Sequence, residues 1–186
     1  MRARAGVAVL FLVLAARPCV AEAAAQAVDR ALAGWPLADV ALQKASGRAF
    51  TREDLTGRWT FLLLRPGPCD APCDAALSAL SGLHRRIAGT AAVHTTQVIV
   101  VSTEPGAVSP DLRQRVAAYD ERFIALGGTP DALEDLARDL AVPAPGAALR
   151  GSLWLIGPDA VIRAELLPPY DVAALTATYL RTRMRR

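Results

Sequence analysis

The chain has 186 residues, 53% of them hydrophobic, with 21 Lys and Arg against 18 Asp and Glu. That length suits one domain with a sizeable core. Three of the cations, Arg2, Arg4 and Arg17, stand in the first 21 residues; without that stretch the chain is formally neutral, so its charge gives no sign of a nucleic-acid partner.

The N-terminus sets the expected compartment. Arg2 and Arg4 precede the apolar run "AGVAVLFLVLAA" and the small-residue exit "RPCVAEAAA". A charged start, a short apolar stretch and small residues at the end describe a secretory signal peptide over residues 1–21, with cleavage after Ala21. The run falls short of the roughly 20 residues of a spanning helix and is interrupted by Arg17. An uncleaved inner-membrane anchor is the alternative. A lipid-modified Cys19 is disfavoured by the Pro18 before it. Lysine occurs once, at Lys44, amid abundant Arg and Ala, a bias that resembles a GC-rich bacterial genome. The expected location is therefore the periplasm, where disulfides form and persist.

Residues 22–36 form an Ala-rich segment ended by Trp35-Pro36, and a domain over 37–182 follows, with a basic tail at 183–186. "PLADVALQKASGRAFTREDLTG" reads as a hairpin-like entry turning at Ser46-Gly47. "RWTFLLL" (58–64) is an apolar run of strand length, consistent with burial on both faces. From about Pro72 to Ala88, Ala76, Leu77, Leu80, Leu83 and Ile87 recur at helical spacing. "TQVIVVST" (96–103) is a second buried strand, and Pro110 opens a helix through Tyr119. "RFIAL" is a short strand ended by Gly127-Gly128. Thr129-Pro130 starts a helix with Leu133, Leu136 and Leu140 on one face. "PAPGAALRG" is a loop, "SLWLIG" and "VIRAEL" form a hairpin around "PDA", and Val172, Leu175 and Tyr179 mark a closing helix. Strands alternating with helices, then a hairpin and a helix, predict an α/β sandwich. A cysteine pair between the first core strand and its helix makes the thioredoxin-like version the expectation, with a central mixed β-sheet flanked by helices.

That pair is Cys69 and Cys73, in "RPGPCDAPCD". At i and i+4 around a helix start both sulfurs share one side, with Cα atoms close to 6 Å apart, within disulfide range. The helix N-terminus favours a thiolate, whereas Asp70 and Asp74 oppose it. Three uses compete: a structural staple, which gains little across so short a loop; reversible dithiol–disulfide chemistry; and soft-metal binding, for which two thiolates suit Cu(I). Zinc requires more Cys and His than the chain supplies. His84 and His94 read as ordinary surface or edge histidines, His84 standing some 16 Å along the helix axis from the motif at 1.5 Å per residue. Met184 is no better placed as a ligand.

From about Leu37 to Leu180 the chain resembles the Sco/SenC copper chaperones of cytochrome c oxidase assembly. The resemblance is carried in order by "GRAFTREDLTGRWTFLLL", "CDAPC", "VIVVSTEPGAVSP", "LGGTPDALEDLARDLAV" and "SLWLIGPDAVI". In that family the two motif cysteines and a distal histidine bind one copper ion. The cysteines correspond to Cys69 and Cys73, but the histidine position is Leu149, so the implied metal site is incomplete. Asp70 and Asp74 stand where prolines are common, and Glu104 and Val108 where the family has aspartates. Thiol peroxidases of the same fold match less well, with Pro66 at their usual Thr position. Thioredoxin-type reductases have a shorter C-x-x-C and a proline closer to the next core strand than Pro143 or Pro145.

The resemblance implies a periplasmic protein of cytochrome c oxidase (copper-A site) biogenesis. It would act through Cys69 and Cys73 as a thiol–disulfide oxidoreductase, a weak Cu(I) carrier, or both. Its implied partner is the oxidase subunit bearing the copper-A site, or another periplasmic thiol protein, with membrane association following from an uncleaved leader. The alternative is a non-enzymatic metal-binding or scaffold module with a structural disulfide.

Overall fold

The computed structural model describes residues 34–38, 40–65, 69–140 and 152–185. The expected leader, most of the Ala-rich segment, and the 141–151 loop that includes Leu149 lie outside the described residues.

Among the described residues seven strands form one sheet: β1 (Leu42–Lys44), β2 (Ala49–Phe50), β3 (Trp59–Arg65), β4 (Thr96–Ser102), β5 (Ile124–Gly128), β6 (Leu153–Ile156) and β7 (Ile162–Leu166). Their spatial order is β2-β1-β5-β4-β3-β6-β7. β3, β4 and β5 run parallel, and the other pairings are antiparallel. Four described helices cover the faces: α1 (Ala71–Ile87), α2 (Pro110–Tyr119), α3 (Pro130–Asp139) and α4 (Val172–Met184). This is the expected mixed α/β sandwich. Among the described residues no helix is long and apolar enough to cross a membrane.

The central strands read as unbroken apolar runs because both of their faces are covered. Trp59, Phe61 and Leu63 of β3 and Val98 and Val100 of β4 pack against α1, α2 and α4. Leu62, Leu64, Ile99 and Val101 point the other way, against α3 and the N-terminal hairpin. On the first face Tyr179 of α4 is fully buried. Its hydroxyl lies 2.6 Å from Thr96 Oγ1 at the start of β4, and its ring packs on Phe61 at 5.4 Å and on Trp59 at 5.9 Å. The hydroxyl contact satisfies a polar atom that burial would otherwise penalise.

The helix starts follow their sequence signals. Ser109, Thr129 and Asp171 each accept a hydrogen bond from a backbone N–H in the first turn, as short polar caps do. One expectation needs correction: Gly127-Gly128 does not end the strand before it but forms its buried last two residues. A Cβ on Gly127 would stand 2.4 Å from the Gly106 carbonyl oxygen. Gly128 pairs with Leu42 of β1 and with Gly106. Gly127 is bare because the Gly106–Val108 backbone closes in on it, and Gly128 because the Leu42 and Leu133 side chains do, a tertiary requirement that looks like a turn when only the local sequence is read.

Candidate functional site

β3 delivers the chain to the site at Arg65, and α1 leaves it. Cys69 is half-buried in front of α1 and Cys73, in its first turn, is 4% exposed. The two form a disulfide with Cα atoms 5.3 Å apart, close to the separation that the i,i+4 spacing predicts. The loop is pinned locally. Asp70 takes the N-cap position of α1 and its Oδ1 accepts from the Cys73 backbone N–H at 3.2 Å. Pro72 occupies the first turn, where its missing N–H costs nothing. Asp70 is thus a helix cap as well as a charge beside the sulfurs, a role the spacing Asp70-x-x-Cys73 could have signalled.

The second acidic residue has a more direct relation to the chemistry. Asp74 Oδ1 lies 3.5 Å from Cys69 Sγ. In the disulfide the sulfur carries no hydrogen, so this is a carboxylate against sulfur; after reduction the Cys69 thiol can donate to it. The other carboxylate oxygen lies 3.5 Å from Arg115 Nη1 of α2, and the hydroxyl of Tyr119 also hydrogen-bonds toward Asp74. Burial first, and then that hydrogen bond and the negative charge of Asp74, push the Tyr119 phenol above its ordinary pKa. Arg65, 9% exposed, stands nearby with Nε unpartnered among the described residues. Burial pulls its pKa down, while the negative charges of Glu104 and Asp70 work in the opposite direction. Arg65 was visible in sequence as the charge ending an apolar strand. Arg115 and Tyr119 carried no such signal.

The remaining candidates lie elsewhere. Val108 packs against the core that contains Cys73, so the departure at that position is an apolar contact, while Glu104 is exposed. His84 is not a surface histidine: it is 2% exposed, with Nδ1 3.3 Å from Asp120 Oδ2 and its ring edge-on to Phe123 at 5.1 Å. Helix α1 turns this position inward, toward α2 and the strand after it. His94 is exposed, as expected, in the short 3-10 turn before β4, and Met184 is 74% exposed at the end of α4. Among the described residues no three His, Cys, Asp or Glu side chains converge to hold a metal ion. Reduced Cys69 and Cys73 would therefore offer copper two sulfur ligands, with no third converging on them among the described residues.

A dithiol–disulfide pair at the junction of a central parallel strand and the helix that follows it defines a thioredoxin-like α/β protein. The thioredoxin domain of a thiol-disulfide oxidoreductase from Bacteroides vulgatus superposes with a TM-score of 0.61 at 13% identity, covering 80% of this chain and 96% of that one. Within this class the chain belongs to the SCO1/SenC family, whose model matches residues 38–150. Arabidopsis thaliana ScoI, solved with copper bound, superposes with a TM-score of 0.70 at 19% identity over 80% of this chain and 98% of that one. A relative from Stutzerimonas stutzeri, described as "Putative copper-binding protein", is 27% identical over 139 residues, 68% of this chain and 66% of its own length.

Proposed function

We propose that this SCO1/SenC protein works in the bacterial periplasm as a thiol–disulfide reductant in the assembly of the copper-A site of cytochrome c oxidase, and carries Cu(I) only weakly. The observation behind this reading is the difference in accessibility between two bonded sulfurs: Cys69 is half-buried, while Cys73 is almost fully buried. Disulfide exchange needs one reachable sulfur and one close enough to resolve the mixed disulfide. The Cys69 thiolate would attack a partner's disulfide and release one partner thiolate. Cys73 would then attack the Cys69 sulfur of the mixed disulfide and release the second. The partner's disulfide gains two electrons and the Cys69–Cys73 dithiol loses two, forming the bond seen here. The partner that suits this chemistry is an oxidase subunit whose copper-binding cysteines must be reduced before metallation.

Copper would be cargo, held by two thiolates. Two soft sulfurs suit Cu(I), and the family and the S. stutzeri relative support contact with copper. The test couples two measurements on one protein: equilibration of the Cys69–Cys73 pair with glutathione buffers, and a Cu(I) competition titration of the reduced form. A reversible two-electron couple with weak copper binding supports the reading. A pair that no glutathione ratio reduces would make the bond a staple, and tight copper binding would make the protein a carrier first.

A further inference from the structure

The described domain is electrically and chemically polarised along the axis of β3. At the motif end Asp70, Asp74, Glu104, Asp111, Asp131 and Asp171 outnumber Arg65, Arg113 and Arg115, around the C-terminal ends of β3 and β4 and the starts of the four helices. At the other end α1 and α4 both finish. α1 runs back from the motif to deliver Arg85 and Arg86 in its last turn. α4 comes down beside the start of β4, where Tyr179 meets Thr96, and ends with Arg181, Arg183 and Arg185. Arg58 precedes β3 at the same end. Cations at helix C-termini complement the helix dipole, which explains one or two arginines per helix but neither feature described next.

First, none of these six arginines takes part in an ion pair among the described residues. Of the carboxylates near this end, Asp54 pairs with Lys44, Asp159 with Arg163 and Asp120 with Arg122, and Glu53 accepts from Thr51; Glu121, exposed just before β5, is outnumbered by the six arginines. Second, the large hydrophobic side chains exposed among the described residues are Trp35, Leu180 and Met184, and all three sit at this end. Leu180 and Met184 share a face of α4 at i,i+4. The Trp35 carbonyl accepts from Ile162 N–H at the start of β7, and Pro36 bridges to Val161, which places Trp35 beside the turn into β7. The described chain enters the domain here as well, at Gly34, whose N–H donates to the Ile162 carbonyl.

We propose that this basic, apolar end is a docking surface for an anionic lipid bilayer. An interface of this kind combines apolar side chains that enter the headgroup region with arginines that meet lipid phosphates. The acidic motif end would be repelled by the same surface. The two charges together therefore fix one orientation, with Cys69 and Cys73 about 20 Å farther from the lipid by the length of seven-residue β3. Docking holds the cysteine pair pointing outward, where the reduced form can reach a partner's disulfide, whether or not the N-terminal segment remains attached.

The test uses the full chain and hydroxyl-radical footprinting, with vesicles of pure phosphatidylcholine compared with vesicles that also contain phosphatidylglycerol. Oxidation of Trp35 and Met184 is expected to fall several-fold in the anionic vesicles but not in the neutral ones, and added salt should restore it. Tyr119, at the motif end, serves as the internal control and should be unaffected. Arg86→Gln, Arg181→Gln and Arg185→Gln replace exposed side chains, each weakening the association about fivefold; the triple variant should lose the protection while keeping its circular dichroism. Equal oxidation in both vesicle types would overturn the proposal. So would protection that survives in the triple variant, which would assign lipid binding to the N-terminal segment alone. Protection of Trp35 and Met184 by a protein partner with no effect of anionic lipid would overturn it in favour of a protein interface.

Discussion

Asp74 holds a carboxylate oxygen 3.5 Å from the sulfur of Cys69, with Arg115 against its other oxygen. The sulfur that is easier to reach in the motif therefore works against a fixed negative charge that is only partly neutralised.

That charge disfavours the Cys69 thiolate, and thiolates are the reactive form. Asp74→Asn is expected to speed iodoacetamide alkylation of the reduced protein about threefold to tenfold near neutral pH, a change of order one charge at short range. Arg115→Gln should slow it. Mass spectrometry of timed samples reads both; an unchanged rate in Asp74→Asn would mean that the carboxylate turns away from the reduced thiol.

Reducing the disulfide should leave the fold intact. A five-residue loop constrains the unfolded chain by only about 2 kcal/mol, and Asp70 continues to cap α1 in the reduced form. Thermal melts with and without dithiothreitol are expected to differ by about 4–8 °C at this domain size. Loss of the cooperative transition on reduction would mark the pair as a staple.

Acid should weaken the domain in two steps. Burial pulls the pKa of His84 below its ordinary value, and this outweighs the opposite pull of Asp120. Neutral His84 is therefore the folded form. Its contribution is complete above about pH 6.5 and is lost as pH falls below that, because the unfolded imidazole takes up a proton first. Asp120, whose hydrogen bonds from Arg122 hold it down to about 2, contributes above its unfolded value and loses that contribution as pH falls toward 2. Urea unfolding across this range is expected to show both declines, and His84→Phe should remove the upper one.

Gly127→Ala should cost about 2 kcal/mol, as overpacking does, because the added methyl would meet the Gly106 carbonyl at 2.4 Å and Val108 N at 3.2 Å. Chemical denaturation checks this. A neutral substitution would show that the segment carrying Gly106 and Val108 moves freely.

Leu149→His should raise Cu(I) affinity about tenfold or more by adding an imidazole to two thiolates, and Cys69→Ala should abolish binding in either background. A competition titration against a Cu(I) chelator, with the three proteins in parallel, measures it. Equal affinity for wild type and Leu149→His would sink the correspondence of Leu149 with the family's histidine position.

The sequence by itself determined the elements and their order. β3, β4, α1, α2 and α3 fall where apolar runs, helical spacing and capping residues predict them, because each depends on neighbours within a few positions. The cysteine pair was legible for the same reason, since i,i+4 spacing at a helix start brings two sulfurs within bonding distance whatever surrounds them. Tertiary structure decided what surrounds that pair. Arg115 and Tyr119 reach Asp74 from another helix, and His84 meets Asp120 across 36 positions of chain, so no local pattern could announce either contact. Gly127 misled for the complementary reason: its need for a bare Cα comes from the Gly106 backbone crossing over it, and a glycine shaped by a neighbour spells the same in sequence as one that ends a strand.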